Sequence, residues 1–244
     1  LNTKSHDFSK SNIKALELKD NYFHLESISP EELDILLSQG WRHFGTYFFR
    51  LESSFLESNN EFLPVKVIPL RIFLPHFQLS KSQRKILRKN EQFSIKRQLV
   101  SLNPEKHLLF EKHALRFSEH SRPMSLYNFL SETPDSTPLP TYEIEVWDKE
   151  KLVACSFVDI TPKAFSSIYA MFDTDYLEHS LGIFTLLKEI EWAKELGKTY
   201  LYLGYAYDRN SFYDYKKRFS ALEKLQWESF SWVKFQETEV KSEN

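Results

Sequence analysis

Apolar residues at Leu33, Leu36 and Leu37 recur with the spacing of one helical face. Ser29 with Glu32 makes a capping box, Pro30 suits the first turn and Gly40 suits a left-handed exit, so the pattern predicts a helix over 29–40. TYFFR (46–50) and VKVIPLRIFL (65–74) read as strands, with Pro69 pushing the second toward an edge or a bulge. ESSFLESNNEF between them reads as a polar loop. A short helix is predicted over 80–90, another from Asn103-Pro104 to about Phe117, and a third from Pro123 to about Leu130. After the candidate linker SETPDSTPLP (131–140), strand patterns follow at 141–147, 152–159 and 166–172. A helix over 181–195, ended by Gly197, and a strand at 199–205 complete a β-β-β-α-β order.

This order predicts an α+β (mixed α/β) fold, a central and mostly antiparallel sheet flanked by helices. It is similar to the core of the GNAT acetyltransferase superfamily, in which a strand-to-helix turn binds a phosphate-bearing donor. The expected divisions are a polar arm at 1–28, an N-terminal part at 29–130 with a glycine turn and a basic helix, a catalytic core at 141–236 and a tail at 237–244.

Composition narrows the classes. With 41% hydrophobic and 16% aromatic residues, the chain can bury an extensive core. The single cysteine, Cys155, excludes an internal disulfide framework, and its apolar strand setting favours an inert buried thiol. The eight histidines show no metal-ligand spacing, so neither metal nor cofactor is expected. No apolar run reaches membrane-spanning length and the start LNTKSHDFSK lacks a signal-peptide pattern, which points to the cytoplasm and away from a membrane partner.

A net charge of −2 means that any anionic partner must be met by a local patch. SKSQRKILRKN (80–90) supplies one: Ser80 and Gln83 form a capping box, and Lys81, Arg84, Lys85, Arg88 and Lys89 share one helical face. From Lys81 to Arg97 there are seven Lys or Arg residues against the single acid Glu91. A surface of this kind tracks phosphates without reading base sequence. In GWRHFG (40–45), Arg42 and His43, with Arg50 nearby, form a candidate cationic pocket for a carboxylate. In FDTDYLEHSLGIF (172–184), the Gln/Arg-x-x-Gly-x-Gly/Ala turn of acetyltransferases has His179 first and Phe184 last. Only Gly182 keeps its place, and a coenzyme A pocket is compromised.

GWRHFG, PLRIFL…SKSQRKILRKN, SFVDITPKAFSSIYAMFDTDYLEHSLGIFTLLKEIEWAKELGKTYLYLGY and YKKRF…E together resemble the aminoacyl-tRNA–protein transferases of the N-degron pathway, across most of residues 33–228. The resemblance implies an aminoacyl-tRNA donor, acceptor proteins beginning with Asp or Glu, and degradation of the product. Departures are the absence of the family's cysteine pairs, His179 in place of an arginine, Phe212-Tyr213 in place of Lys-Met, and Ala221 in place of a proline. Trp41 and the SKSQRK spelling favour arginine as the transferred group, narrowly ahead of leucine.

The donor is an activated ester and the acceptor α-amine has a pKa of about 7.7, so positioning and oxyanion donors take precedence over a strong base. Arg42, His43 and Arg50 are the expected readers of the acceptor. His179, Ser180, Leu181 and Gly182, with Tyr205 and Lys216, are expected around the aminoacyl end, and Asp173 is expected to hold the acceptor amine. The rivals are an acetyl-coenzyme A-dependent N-acetyltransferase and a non-catalytic adaptor for N-termini or RNA.

Overall fold

The computed structural model describes residues 21–58, 61–119 and 121–236; most of the expected arm and the whole 237–244 tail lie outside the described residues. The first elements are β1 (Asn21–His24), α1 (Pro30–Ser38), β2 (Arg42–Phe44) and β3 (Tyr47–Arg50). β3 pairs antiparallel with both β1 and β2, giving a three-stranded sheet. Residues 21–24 are therefore a packed strand and not part of an arm, because the Phe23 ring is buried 4.7 Å from Trp41 and 5.2 Å from Phe48. The capping box of α1 forms as predicted: Glu32 N donates to Ser29 Oγ (3.2 Å) and Ser29 N donates to Glu32 Oε2 (2.9 Å). Leu33, Leu36 and Leu37 are buried with Trp41.

β4 (Ser53–Ser58) and β5 (Glu61–Phe73) follow. The segment expected to be a polar loop is thus mostly strand. β4 pairs with β5 as a ribbon beyond the sheet, satisfying backbone groups while leaving Phe55 and Phe62 exposed, so no burial pattern marks it. β5 is interior rather than an edge. Pro69 is tolerated because it opposes Tyr205 beside an irregularity between Tyr202 and Gly204. On its other side the β4 pairings end at Lys66 and those of a later strand begin at Leu70, so no ladder needs its missing N–H.

α2 (Lys81–Lys89), β6 (Ser94–Leu99) and α3 (Pro104–Ala114) come next. The helix expected over 123–130 is only a 3-10 turn at Leu126–Asn128, capped by Ser125 and Asn128, with Leu126 and Leu130 already buried. Nor is 131–140 a linker: Leu139 is buried against the α1 cluster, Ile28 N donates to Pro138 O (2.9 Å) and Thr141 N to Pro134 O (2.9 Å).

The predicted β-β-β-α-β order is present as β7 (Thr141–Asp148), β8 (Lys151–Ile160), β9 (Ala164–Phe172), α4 (Leu181–Glu195) and β10 (Tyr200–Tyr207), followed by β11 (Leu222–Gln226) and β12 (Ser231–Lys234). The main sheet has nine strands in the order β12-β11-β5-β10-β9-β8-β7-β6, with β4 on β5. β5 and β6 join the same sheet as the 141–236 strands, so no gap in the sheet marks the expected division. α3 packs over Cys155, Phe157 and Met171, and α4 over Ala154, Val158 and Phe165. Adjacent strand residues point to opposite faces, so helices cover both sides. The mixed α+β class and mostly antiparallel sheet are those expected; β9 with β10 is the sole parallel pair among the described strands.

Candidate active site

The parallel pair is short. β9 and β10 register only from Ala164–Ser166 to Tyr200–Tyr202; beyond the irregularity before Gly204, β10 stays on β5 and β9 stays on β8. Their carboxyl ends part there, and this splay is the candidate cleft, the place where sheets with crossover helices receive ligands. Gly204 (φ +80°) lies at the parting point. That left-handed backbone is what calls for glycine; a Cβ there would make ordinary contact, 3.6 Å from Lys216 Nζ and 3.7 Å from Arg42 Nε, so both cations lie beside this residue.

Arg42 reaches the notch from β2. Its Nη1 donates to Ser166 Oγ (3.0 Å) and its Nη2 to Ser167 O. Lys216, from the 3-10 turn Phe212–Arg218, donates from Nζ to Tyr205 O (3.2 Å) and lies 4.8 Å from the Tyr213 ring centre. Under them α4 contributes Glu189, 1% exposed, beside Ser156 and Ser167 and facing both cations. Burial pushes the Glu189 carboxyl up to about 7 against the pull of the serines, Arg42 and Lys216. Burial, reinforced by the Arg42 guanidinium, brings the Lys216 ammonium down to about 7. Burial also lowers Arg42 from its usual value.

Beyond the end of β9, α4 begins after Ser180, a non-glycine residue in the left-handed region (φ 52°). Gly182 lies where a Cβ would press to 3.3 Å from the Phe172 ring. α2 is tied to this turn: His179 Nδ1 lies 2.8 Å from Asn90 Oδ1, Asn90 Nδ2 donates to His179 O (2.9 Å) and Lys89 Nζ to Glu178 O (2.6 Å). Lys81, Arg84, Lys85, Arg88 and Lys89 are all exposed. Phe184, buried where acetyltransferases keep a small residue, lines a cavity of about 1090 Å³ between α2 and α4 together with Phe77, Leu87 and Phe93.

Residues 105–226 match the family model described as arginine-tRNA-protein transferase, C terminus. The chain is 30% identical over 209 residues to the aspartate/glutamate leucyltransferase of Campylobacter jejuni subsp. jejuni serotype O:6, covering 84% of each chain. It belongs to the aminoacyl-tRNA–protein transferases. The leucyltransferase of the same name from Helicobacter hepaticus is 27% identical over 212 residues, covering 84% of this chain and 83% of that protein. Among solved structures, L-PGS from Bacillus licheniformis aligns at TM-score 0.44 and 14% identity over 78% of this chain and 55% of that one, too distant a likeness to carry an argument.

In this transferase the residues singled out in the sequence separate into two groups. Arg42, Lys216 and Tyr205 converge at the notch, and His179, Ser180 and Gly182 form the turn at the start of α4. His43 and Arg50 do not join them. His43 is buried with Nε2 2.8 Å from Asp159 Oδ2 and Nδ1 2.8 Å from Gly45 O. Arg50 is 1% exposed, its guanidinium 4.9 Å from the Trp41 ring centre and 5.0 Å from that of Phe230. Both are more enclosed than Arg42, which is itself 7% exposed, and their partners lie away from the notch. Leu181 is wholly buried core, and the Tyr205 hydroxyl donates to Gly40 O (2.9 Å), bracing the glycine turn.

Asp173 is also engaged elsewhere. It accepts from Asp175 N (2.9 Å) and pairs with Lys112 and, at 2.8 Å, with Lys151. Burial alone would raise its carboxyl, but the two lysines outweigh burial and hold it below the usual range, the wrong direction for a base. It caps the turn before α4. The residue missed in the sequence is Glu189. Its signal was there: Leu181, Thr185 and Glu189 step by four along the inward face of α4, so an acid lay on a buried stripe.

Proposed function

We propose that the protein transfers leucine from leucyl-tRNA to the N-terminal amine of proteins that begin with Asp or Glu, marking them for degradation in the cytoplasm. The donor follows the named relatives rather than the narrow preference for arginine drawn from Trp41 and SKSQRK. In this reading α2 tracks tRNA phosphates through Lys81, Lys85 and Arg88, while Arg84 and Lys89 also hold the carbonyls of Leu79 and Glu178. The turn at His179, Ser180 and Gly182 receives the aminoacylated 3′ end, and Arg42 faces the acidic side chain of the acceptor.

The observation that carries the reading is the double link between Asn90 and His179. A basic helix bonded to the turn before α4 supports a path in which a gripped phosphate chain runs past that turn and its ester meets an amine.

The test is transfer from a panel of charged tRNAs to peptides bearing each N-terminal residue, read by mass spectrometry. Leucine on Asp and Glu peptides is the expected product; no product from any pair would refute the proposal. Replacing Lys85 and Arg88 by Glu should weaken tRNA binding by roughly tenfold or more and flatten its salt dependence by about one unit of slope per lost contact. Unchanged binding would remove α2 from the tRNA path.

A further inference from the structure

Two cations and one buried acid share the notch at Gly204, and they cannot all keep their charges at equal cost. Arg42 and Lys216 both lie within 4 Å of the position of an absent Gly204 Cβ, so they are near neighbours of like charge. A guanidinium does not give up its proton in a protein, whereas an ammonium does when it is half-buried against another cation, as Lys216 is against Arg42. Lys216 is therefore the member that yields. The groups that face it are Arg42 from β2, Glu189 from α4 and Tyr213 from its own turn, with the Tyr205 carbonyl from β10, while Tyr215 of the same turn faces Glu189. The two tyrosines are raised above their ordinary range, chiefly by burial, and supply no counter-charge. Glu189 is the sole acid among these neighbours, and it has no route to the cleft because it is enclosed.

We propose that Lys216, as a neutral amine, is the proton acceptor of the transfer reaction, and that Glu189 is a positioning residue that sets how readily Lys216 takes that proton. The proposal rests on the transferase reading above. The acceptor arrives as an α-ammonium. Lys216 Nζ removes one proton and becomes an ammonium; the freed amine attacks the ester carbonyl carbon, forming the C–N bond and an oxyanion. On collapse the carbon–oxygen bond to the terminal ribose breaks, and the nitrogen's second proton passes to the departing ribose oxygen. The third remains as the amide N–H. Lys216 then returns its proton to solvent, restoring the amine.

The experiment is single-turnover transfer from leucyl-tRNA to an Asp-initiated peptide between pH 6 and 9.5, with folding of each variant checked by circular dichroism. Wild-type rate rises with pH to a plateau. Lys216→Arg, charged throughout, loses about a hundredfold or more at the plateau, the usual scale of a proton acceptor. The same variant recovers to within about tenfold of wild type with an acceptor carrying an N-terminal aminooxy group, which needs no deprotonation. Glu189→Gln keeps its plateau within about tenfold while its rising limb moves to lower pH, because an attraction for the proton on Lys216 is gone. Should Lys216→Arg fail to fold, the limb of Glu189→Gln decides alone. Wild-type turnover in Lys216→Arg, or an unmoved limb in Glu189→Gln, overturns this proposal and leaves the transferase reading intact. Failure of the wild-type protein with every tRNA and peptide overturns both.

Discussion

Two clusters of buried charge stand in contrast. Beneath α3, Lys106 Nζ donates to Glu143 Oε1 (2.6 Å) and Ser101 O (2.6 Å), and pairs with Glu145 Oε1 at 2.8 Å, so its three protons meet three acceptors. Gln98 and the Trp147 indole bind the same two carboxylates. Although burial opposes its charge, these bonds hold the Lys106 ammonium above its ordinary range. At the Gly204 notch the balance is reversed: two cations crowd Glu189, while Asp159, bonded to His43, reaches only Arg42, and Lys216 and Glu189 are both displaced to about neutrality. A saturated cluster spends its interactions on the fold, whereas an unbalanced one beside a cleft keeps a proton available for chemistry.

The sharpest way to break this comparison is Lys106→Met. It strands two carboxylates in the core and should lower the unfolding free energy by about 3–5 kcal/mol, measured in urea, while the folded fraction transfers at the wild-type rate. A specific loss of turnover would erase the distinction between the clusters. Lys216→Met is the converse. Transfer should fall by about a hundredfold, yet stability at pH 7.5 should stay within about 1 kcal/mol of wild type, because the variant gives up the cost of holding Lys216 uncharged as well as a hydrogen bond.

The pH dependence sharpens the contrast. Lys216 has its pKa lowered from 10.5 to about 7, so between those values the unfolded chain binds more protons and this group makes stability rise with pH. Glu189, raised from 4.5 to about 7, acts oppositely in a lower window and makes stability fall as pH rises from 4.5 to about 7. The wild-type minus Lys216→Met difference in unfolding free energy should therefore climb from pH 7.5 to 9.5; a flat difference would contradict a displaced Lys216. The smallest effect is expected of Asp173→Asn, about 1 kcal/mol of stability with transfer within tenfold of wild type. Since Asp173 is depressed below 3.8, its contribution is present above that value and lost as pH falls through its folded-state pKa, so the variant and wild type should converge in acid.

Part of the site was legible in the sequence. Arg42 stood out as a charge wedged among apolar neighbours, and the α2 face followed from a spacing of three and four. His43 and Arg50 carried the same signal as Arg42 but were enclosed by Asp159 in one case and by Trp41 and Phe230 in the other. Polarity within an apolar run says that a partner exists; it does not say whether that partner is protein or ligand. Asp173 looked catalytic from its place at a strand end, and lysines from α3 and β8 had already taken its oxygens.

The chain by itself determined whatever is settled within a few residues: both capping boxes, the positive face of α2, the β-β-β-α-β order and the motifs of the transferase family. Tertiary structure alone decided the notch, because Arg42, Glu189, Gly204 and Lys216 come from β2, α4, β10 and a late turn and meet only once the sheet has formed. Their proton affinities follow from burial and from like charge held close, and neither is a property of any local segment.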